Sequence, residues 1–383
     1  MKEDVQSLIR VRSRCKKVLL LGNSNLVIFK FRKELVQRLI SENYEVFVSF
    51  PNGPFGEGEK SAKEFGCTFF ETKIDRRGKN IFRDLGILSQ YIKMMRKIQP
   101  DVVLAYTVKP DIYGGIACRM LEIPFIPNIT GLGKGIAEGG ITERITKVLY
   151  KVSVKKAINV YFQNNFDKQY FDREKIKYYN AEILPGSGVN LSEFIACEYP
   201  DPSEPIRFLY VARVMKAKGI EEFFTAAVYI KKKYSNTEFH ICGYCEEDYN
   251  NKIEQYQKEG IVTYHGLVDN VMDYEKICHC VVLPTFHPEG VSNVLLEAAA
   301  CARPVITTDR PGCRETVDDR VSGYLIRERD SQDLIDKMEQ FIKLPHSEKV
   351  KMGKCGRIKV KNNFNRDFVV DSYLNTINNY VAG

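Results

Sequence analysis

Short apolar runs rich in β-branched residues recur along the chain and alternate with longer stretches whose apolar positions fall at helical spacing. This is the signature of βαβ units that build parallel sheets. In the first half, the runs at 17–21, 45–50, 67–71, 101–105, 125–128, 159–162 and 181–184 predict strands. Residues 29–40 place Phe31, Leu35, Leu39 and Ile40 on one face, so the spacing predicts a helix laid against the sheet. The pattern breaks at Pro185-Gly186-Ser187-Gly188, and a proline-rich stretch follows at 199–205; such turn chemistry predicts a domain boundary. Alternation restarts with strands at 206–212, 237–242, 261–264, 281–284, 304–308 and 323–326, and ends in helical stretches at 331–343, 347–362 and 366–380. The chain therefore reads as α/β, with doubly wound domains at 1–190 and 191–365 and a last helix, 366–383, packing back toward the first domain. A length of 383 residues agrees, since one hydrophobic core rarely serves so long a chain.

Charge changes the picture more than composition does. Residues 1–190 carry 32 Lys and Arg against 20 Asp and Glu, whereas the remainder carries 25 against 29. That asymmetry points to an anionic partner for the first half. Nucleic acid is one candidate, though no nucleic-acid-binding motif accompanies the charge; an anionic membrane surface or a diphosphate-bearing lipid fits equally well, a merely solvated basic face is the bland alternative, and no nucleic-acid partner is expected. No apolar stretch is long enough to span a bilayer, and MKEDVQSLIRVRSR is too polar for a signal peptide, so a cytoplasmic location is expected. The eleven cysteines are scattered through strand-like and helix-like segments and read as reduced thiols. Cys242-x-x-Cys245 with Cys278 and Cys280 could offer zinc ligands, but Cys242 and Cys280 sit in apolar runs, where cysteine acts as a small hydrophobe.

In open α/β sheets ligands bind beyond the carboxyl ends of the strands. The richest such end is Leu283-Pro284-Thr285-Phe286-His287-Pro288-Glu289-Gly290-Val291-Ser292-Asn293, running into Val294-Leu295-Leu296-Glu297. A helix starting near Ser292, capped by its hydroxyl, would present the backbone N–H groups of Gly290, Val291, Ser292 and Asn293 to a diphosphate. Gly290 allows close approach. Glu297, one to two turns in, could accept ribose hydroxyls, and Glu289 could meet a sugar.

Together with Pro304-Val305-Ile306-Thr307-Thr308-Asp309-Arg310-Pro311-Gly312 downstream, and Val211-Ala212-Arg213-Val214-Met215-Lys216-Ala217-Lys218-Gly219 upstream, this run resembles the donor-binding region of the family 4 retaining glycosyltransferases. The resemblance covers most of 206–326. It implies the GT-B fold, two Rossmann-like domains about an interdomain cleft. It also implies Arg213 and Lys218 on the donor diphosphate, Glu289 on the donor sugar, Glu297 on the ribose, and His265 and Leu267 beside the nucleobase. Cations and helix N–H groups can stabilise a leaving nucleoside diphosphate without a metal, and the chain has no Asp-x-Asp triplet; no cofactor or metal is expected.

In the first domain, Gly22-Asn23 follows the first strand, while Lys109 and Thr130 follow two others. The latter two segments, Tyr106-Thr107-Val108-Lys109-Pro110-Asp111 and Asn128-Ile129-Thr130-Gly131-Leu132-Gly133, resemble a bacterial subgroup that extends polyprenyl-diphosphate-linked sugars in capsule, O-antigen and glycan assembly. Lys109 is expected to engage the acceptor diphosphate or a donor phosphate, with a buried turn that leaves the lysine in solvent as the bland alternative, and Thr130 to lie near the sugar; the resemblance places Thr130 where many relatives carry a histidine, and all five histidines here lie beyond residue 239. The expectation is a retaining, metal-independent transferase moving a hexose or N-acetylhexosamine from a UDP-sugar to a lipid-linked saccharide, peripheral to the inner face of the membrane. A non-hydrolysing nucleotide-sugar epimerase and a non-catalytic nucleotide-sugar-binding protein are the rivals.

Overall fold

The computed structural model describes residues 16–53, 56–75, 81–132, 136 and 139–381; residues 1–15, which include the polar start weighed above as a signal, lie outside the described residues. Seven parallel strands form the first sheet: β1 (Lys17–Leu21), β2 (Glu45–Phe50), β3 (Thr68–Glu71), β4 (Val102–Tyr106), β5 (Phe125–Ile129), β6 (Val160–Phe162) and β7 (Ala181–Ile183), in the order β3-β2-β1-β4-β5-β6-β7. Six form the second: β8 (Ile206–Val211), β9 (Thr237–Cys242), β10 (Thr263–Gly266), β11 (Cys280–Leu283), β12 (Val305–Thr308) and β13 (Gly323–Ile326), in the order β10-β9-β8-β11-β12-β13. Helices cover both faces. Leu19, Leu21, Val103 and Ala105 enter one hydrophobic cluster and Val18, Leu20, Val102 and Leu104 another, which is why these strands read as continuous apolar runs.

Each sheet reverses its winding beside its first strand, between β1 and β4 and between β8 and β11. Crevices open at the carboxyl ends of strands at such reversals, so the residues after β1, β4, β8 and β11 are the ones placed to meet ligands.

The helix expected over 29–40 is instead two, Asn25–Phe29 and Lys33–Ser41. The break has a tertiary cause. The guanidinium of Arg366 donates to the carbonyl of Lys30 at 3.3 Å and to the Glu34 carboxylate at 2.8 Å, which takes the backbone at Lys30 out of a continuous helical ladder. The same guanidinium donates to the Ser187 and Gly188 carbonyls, where the chain crosses between the sheets. Helix Arg366–Val381 lies on the first sheet: Tyr373 packs on Tyr106 and Tyr161 and accepts a hydrogen bond from Asn128 Nδ2 at 2.7 Å.

The second core contains a buried carboxyl group. Glu275 is fully enclosed, with one oxygen accepting from the Cys301 thiol at 3.2 Å and the other without a partner among the described residues. Burial, helped by the nearby Glu297 charge, pushes its pKa from the usual 4.5 to about 8. A carboxyl whose folded pKa is raised contributes most to stability below its unfolded pKa, and the contribution is lost as pH climbs from about 4.5 to about 8. Glu275→Gln, a neutral isostere, should therefore melt above wild type by a margin that widens between pH 5 and pH 8, reaching at least about 3 °C. A margin that is flat with pH would show that Glu275 does not titrate as described.

Candidate active site

β8 delivers the chain to Arg213, and a short 3-10 turn, Lys216–Lys218, follows. The Tyr210 hydroxyl lies 3.3 Å from the carbonyl oxygens of both Arg213 and Lys218, pinning the two ends of this loop. The carbonyl of Ala217 accepts from the Phe286 N–H at 2.9 Å and the Thr285 hydroxyl at 3.2 Å, which ties the loop after β8 to the loop after β11. Gly219 completes the junction. It has φ +79°, and a Cβ there would overlap the Pro284 carbonyl, so only glycine satisfies both the left-handed backbone and the close approach.

That junction brings the predicted cations to the predicted carboxylate. Lys218 is ion-paired with Glu289, both largely buried, and Arg213 is ion-paired with Glu246 of the turn after β9. His287 sits among them. Burial pushes its pKa down, Glu289 opposes this, and Lys218 and Arg213 add to it, so the ring is neutral near pH 7 and its Nδ1–H donates to the Pro288 carbonyl at 2.9 Å. Two cations and two carboxylates thus balance in charge at the winding reversal of the second sheet.

Helix Asn293–Ala300 starts as expected, but its caps differ. The Ser292 side chain makes no capping bond; Asn293 Oδ1 instead accepts from the Ser187 hydroxyl at 3.0 Å. Nor do all four N–H groups point at open space. Val291 N–H donates to Gln163 Oε1 at 3.3 Å and Ser292 N–H to the Gly312 carbonyl at 2.8 Å. The expected four-donor phosphate cradle is therefore corrected, since packing against the first domain and against Gly312 takes up the protons of Val291 and Ser292. Glu297 is buried on the helix, where desolvation pushes its pKa up while the Lys30 and Arg366 charges pull it down.

His265, at the end of β10, stacks on His240 with ring centroids 5.3 Å apart and meets Tyr274 at a tilt with centroids 4.6 Å apart, and burial lowers the pKa of both histidines. Leu267 beyond it is 75% exposed. Cys242, Cys278 and Cys280 are buried, and among the described residues no group of three or more His, Cys, Asp or Glu is assembled that could hold a metal ion.

In the first domain, Gly22 N–H donates to the Ser49 carbonyl at 2.9 Å, and Asn23 follows with its buried Oδ1 unpartnered among the described residues. Lys109 donates to Asp84 at 2.6 Å in an ion pair that is mostly shielded from solvent, so a phosphate reaching Lys109 must compete with Asp84. The Thr130 carbonyl would lie 2.9 Å from a Cβ on Gly290. The strand ends of the two sheets therefore face each other and touch.

Four residues were missed by the sequence reading. Glu246 and Asp84 hold Arg213 and Lys109, and Gln163 and Asn164 reach across to the Glu289 loop. The carboxyl-end rule that singled out the other loops applies equally to β6, which Gln163 and Asn164 follow.

Residues 17–164 match the family model described as Glycosyl transferase 4-like, and residues 192–359 match that described as Glycosyl transferases group 1. Over 84% of its length the chain is similar, at 22% identity, to the N,N'-diacetylbacillosaminyl-diphospho-undecaprenol alpha-1,3-N-acetylgalactosaminyltransferase of Campylobacter jejuni, covering 88% of that protein. It is 24% identical to the capsular polysaccharide biosynthesis glycosyltransferase CapM of Staphylococcus aureus, over 89% of this chain and 92% of that one. Among solved structures, Anabaena Alr3699/HepE, crystallised with UDP and glucose, superposes with a TM-score of 0.77 at 15% identity, covering 95% of this chain and all of that one. The fold is GT-B, two doubly wound domains facing one another.

Proposed function

The chain belongs to the glycosyltransferases that join a glycosyl transferase 4-like domain to a group 1 domain, and from that premise we propose that it moves a hexose or N-acetylhexosamine from a UDP-sugar to a polyprenyl-diphosphate-linked saccharide with retention at the anomeric carbon. The observation that carries the reading is the Arg213, Lys218 and Glu289 cluster at the winding reversal of the second sheet, pressed against the strand ends of the first. The donor is inferred from the UDP and glucose named for the structural neighbour, and the acceptor from the diphospho-undecaprenol named for the relative.

Arg213 and Lys218 would bind the donor diphosphate, and Glu297 the ribose. As the bond from the anomeric carbon to the diphosphate oxygen breaks, negative charge grows on the leaving diphosphate, and the two cations stabilise it more than the ground state. The acceptor hydroxyl attacks on the face the diphosphate vacates and passes its proton to the departing phosphate oxygen, which gives retention without a protein nucleophile. Glu289 holds the sugar, and the backbone about His265 and Leu267 meets the base. The Gly22, Asn23, Lys109 and Thr130 side of the cleft takes the acceptor, with the basic first domain facing an anionic membrane surface at the cytoplasmic leaflet. Among the described residues no helix is long and apolar enough to cross a membrane.

The reading is tested by incubating the protein with UDP- and GDP-sugars, with and without EDTA, and with polyprenyl-diphosphate sugars in anionic vesicles. Transfer with retained configuration, undiminished by EDTA, is expected from a UDP-sugar; inversion, or epimerised sugar without acceptor, would sink the proposal. High salt should release the protein from those vesicles, and binding that resists it would count against an electrostatic contact.

Lys109→Ala should raise KM for the lipid acceptor about tenfold and leave slow donor hydrolysis unchanged, as expected where one charge-assisted phosphate contact is lost. Unchanged acceptor kinetics would restrict Lys109 to its pair with Asp84.

A further inference from the structure

Two side chains of the first domain hold the loop that carries Glu289, yet the donor chemistry above uses neither. β6 ends at Phe162, and the next residues, Gln163 and Asn164, are 6% and 2% exposed. Asn164 Nδ2 donates to the Gly290 carbonyl at 2.9 Å and lies 3.5 Å from that of Glu289. Gln163 Oε1 accepts from the Val291 N–H at 3.3 Å. Gly290 makes the fit possible, since a Cβ there would overlap the Gln163 amide oxygen.

The direction of these bonds is set on the first-domain side. Asn164 is the N-cap of helix Asn165–Arg173: its Oδ1 accepts from the Asp167 N–H at 2.8 Å, and its amide is also 3.1 Å from the Asp167 carboxylate. With its oxygen committed to the cap, the amide nitrogen is held pointing across the interface. On the far side the same loop is held by its own domain, through Ser292 N–H on the Gly312 carbonyl and through the Lys218 pair with Glu289. The segment from Glu289 to Ser292 is thus gripped from both domains, and Gln163 and Asn164 bond to its backbone.

We propose that Gln163 and Asn164 are positioning residues, a latch that aligns Glu289 with the donor sugar only when the two domains are together. The nucleotide-binding groups Arg213, Lys218 and Glu297 are all carried by the second domain and make no bond to Gln163 or Asn164 among the described residues, so the latch should act on turnover and leave nucleotide affinity alone. Its kinetic consequence rests on the transferase reading; the contact itself does not.

Asn164→Ser keeps a hydroxyl that can cap the helix but is too short to reach Gly290, and Gln163→Leu removes the acceptor at similar volume. Each should speed hydrogen exchange at the Val291 amide about tenfold and lower kcat about tenfold, with Kd for UDP within about twofold. Gln163→Glu, which keeps an acceptor oxygen, should restore the protection of Val291. Unchanged exchange in both variants would overturn the latch, and faster exchange with unaltered kcat would overturn its positioning role. A loss of UDP affinity matching the loss of kcat would mark the pair as structural. A wild-type protein without turnover would count against the transferase reading, and the Val291 amide would still decide whether the latch exists.

Discussion

Replacing Glu289 with glutamine is expected to lower kcat by roughly 10²- to 10³-fold while changing the affinity for free UDP by no more than about threefold. The expectation follows from what the carboxylate touches. Glu289 is ion-paired with Lys218 and lies near His287, and its backbone is held by the first domain. Glutamine fills the same space but carries no charge, so Lys218 is left unpaired and the balanced set of Arg213, Lys218, Glu246 and Glu289 becomes cationic by one. A cationic site holds a diphosphate no less firmly. What is lost, on the proposed reading, is a charged acceptor for the sugar hydroxyls at the moment the anomeric carbon becomes electron-poor, an interaction stronger in the transition state than in the ground state. Equal losses in kcat and in UDP affinity would show that Glu289 belongs to the nucleotide site and that its division of labour with Glu297 is drawn wrongly.

Much of the fold is legible because both sheets are parallel and covered on both faces, which leaves strands as unbroken apolar runs. Strands 17–21, 45–50, 237–242 and 323–326 agree to the residue with β1, β2, β9 and β13. β10 sits about two residues later than its apolar run, because the N–H groups of Ile261 and Val262 bond back to the Tyr256 carbonyl of the preceding helix, and pairing with β9 begins only at Thr263. The broken helix at 29–40 failed for a different reason: Arg366, more than 300 residues away, takes the carbonyl at Lys30, and no local period encodes that.

The site divides the same way. Glu289 and Gly290 are visible in sequence because they follow a strand and precede a helix, and Arg213 and Lys218 because their segment carries the family resemblance. Their partners are not. Glu246 pairs with Arg213 across 33 residues, and Asn164 reaches Gly290 across 126. Such pairs exist only once the sheets have wound and the domains have met. The revised cradle is of the same kind, since Ser292 and Val291 look free at a helix start until Gly312 and Gln163 arrive.

Lys218→Ala should be the more damaging change, lowering kcat/KM by about 10³-fold and weakening UDP by at least about tenfold. The lysine meets two demands. In the protein without donor it neutralises Glu289; on the proposed reading its ammonium is shared with the diphosphate once donor binds, and Gly219 and the Ala217 contacts hold its backbone for both. Alanine removes the clamp and leaves Glu289 largely buried without its counter-charge, which repels the diphosphate as well. The two residues should therefore act as a unit. In a double-mutant cycle, Lys218→Ala with Glu289→Gln should bind UDP more tightly than Lys218→Ala alone, because the uncompensated carboxylate is gone, and its kcat/KM should fall well short of the product of the single losses. Independent, multiplicative effects on both quantities would mean that the ion pair has no part in preparing the site for the diphosphate.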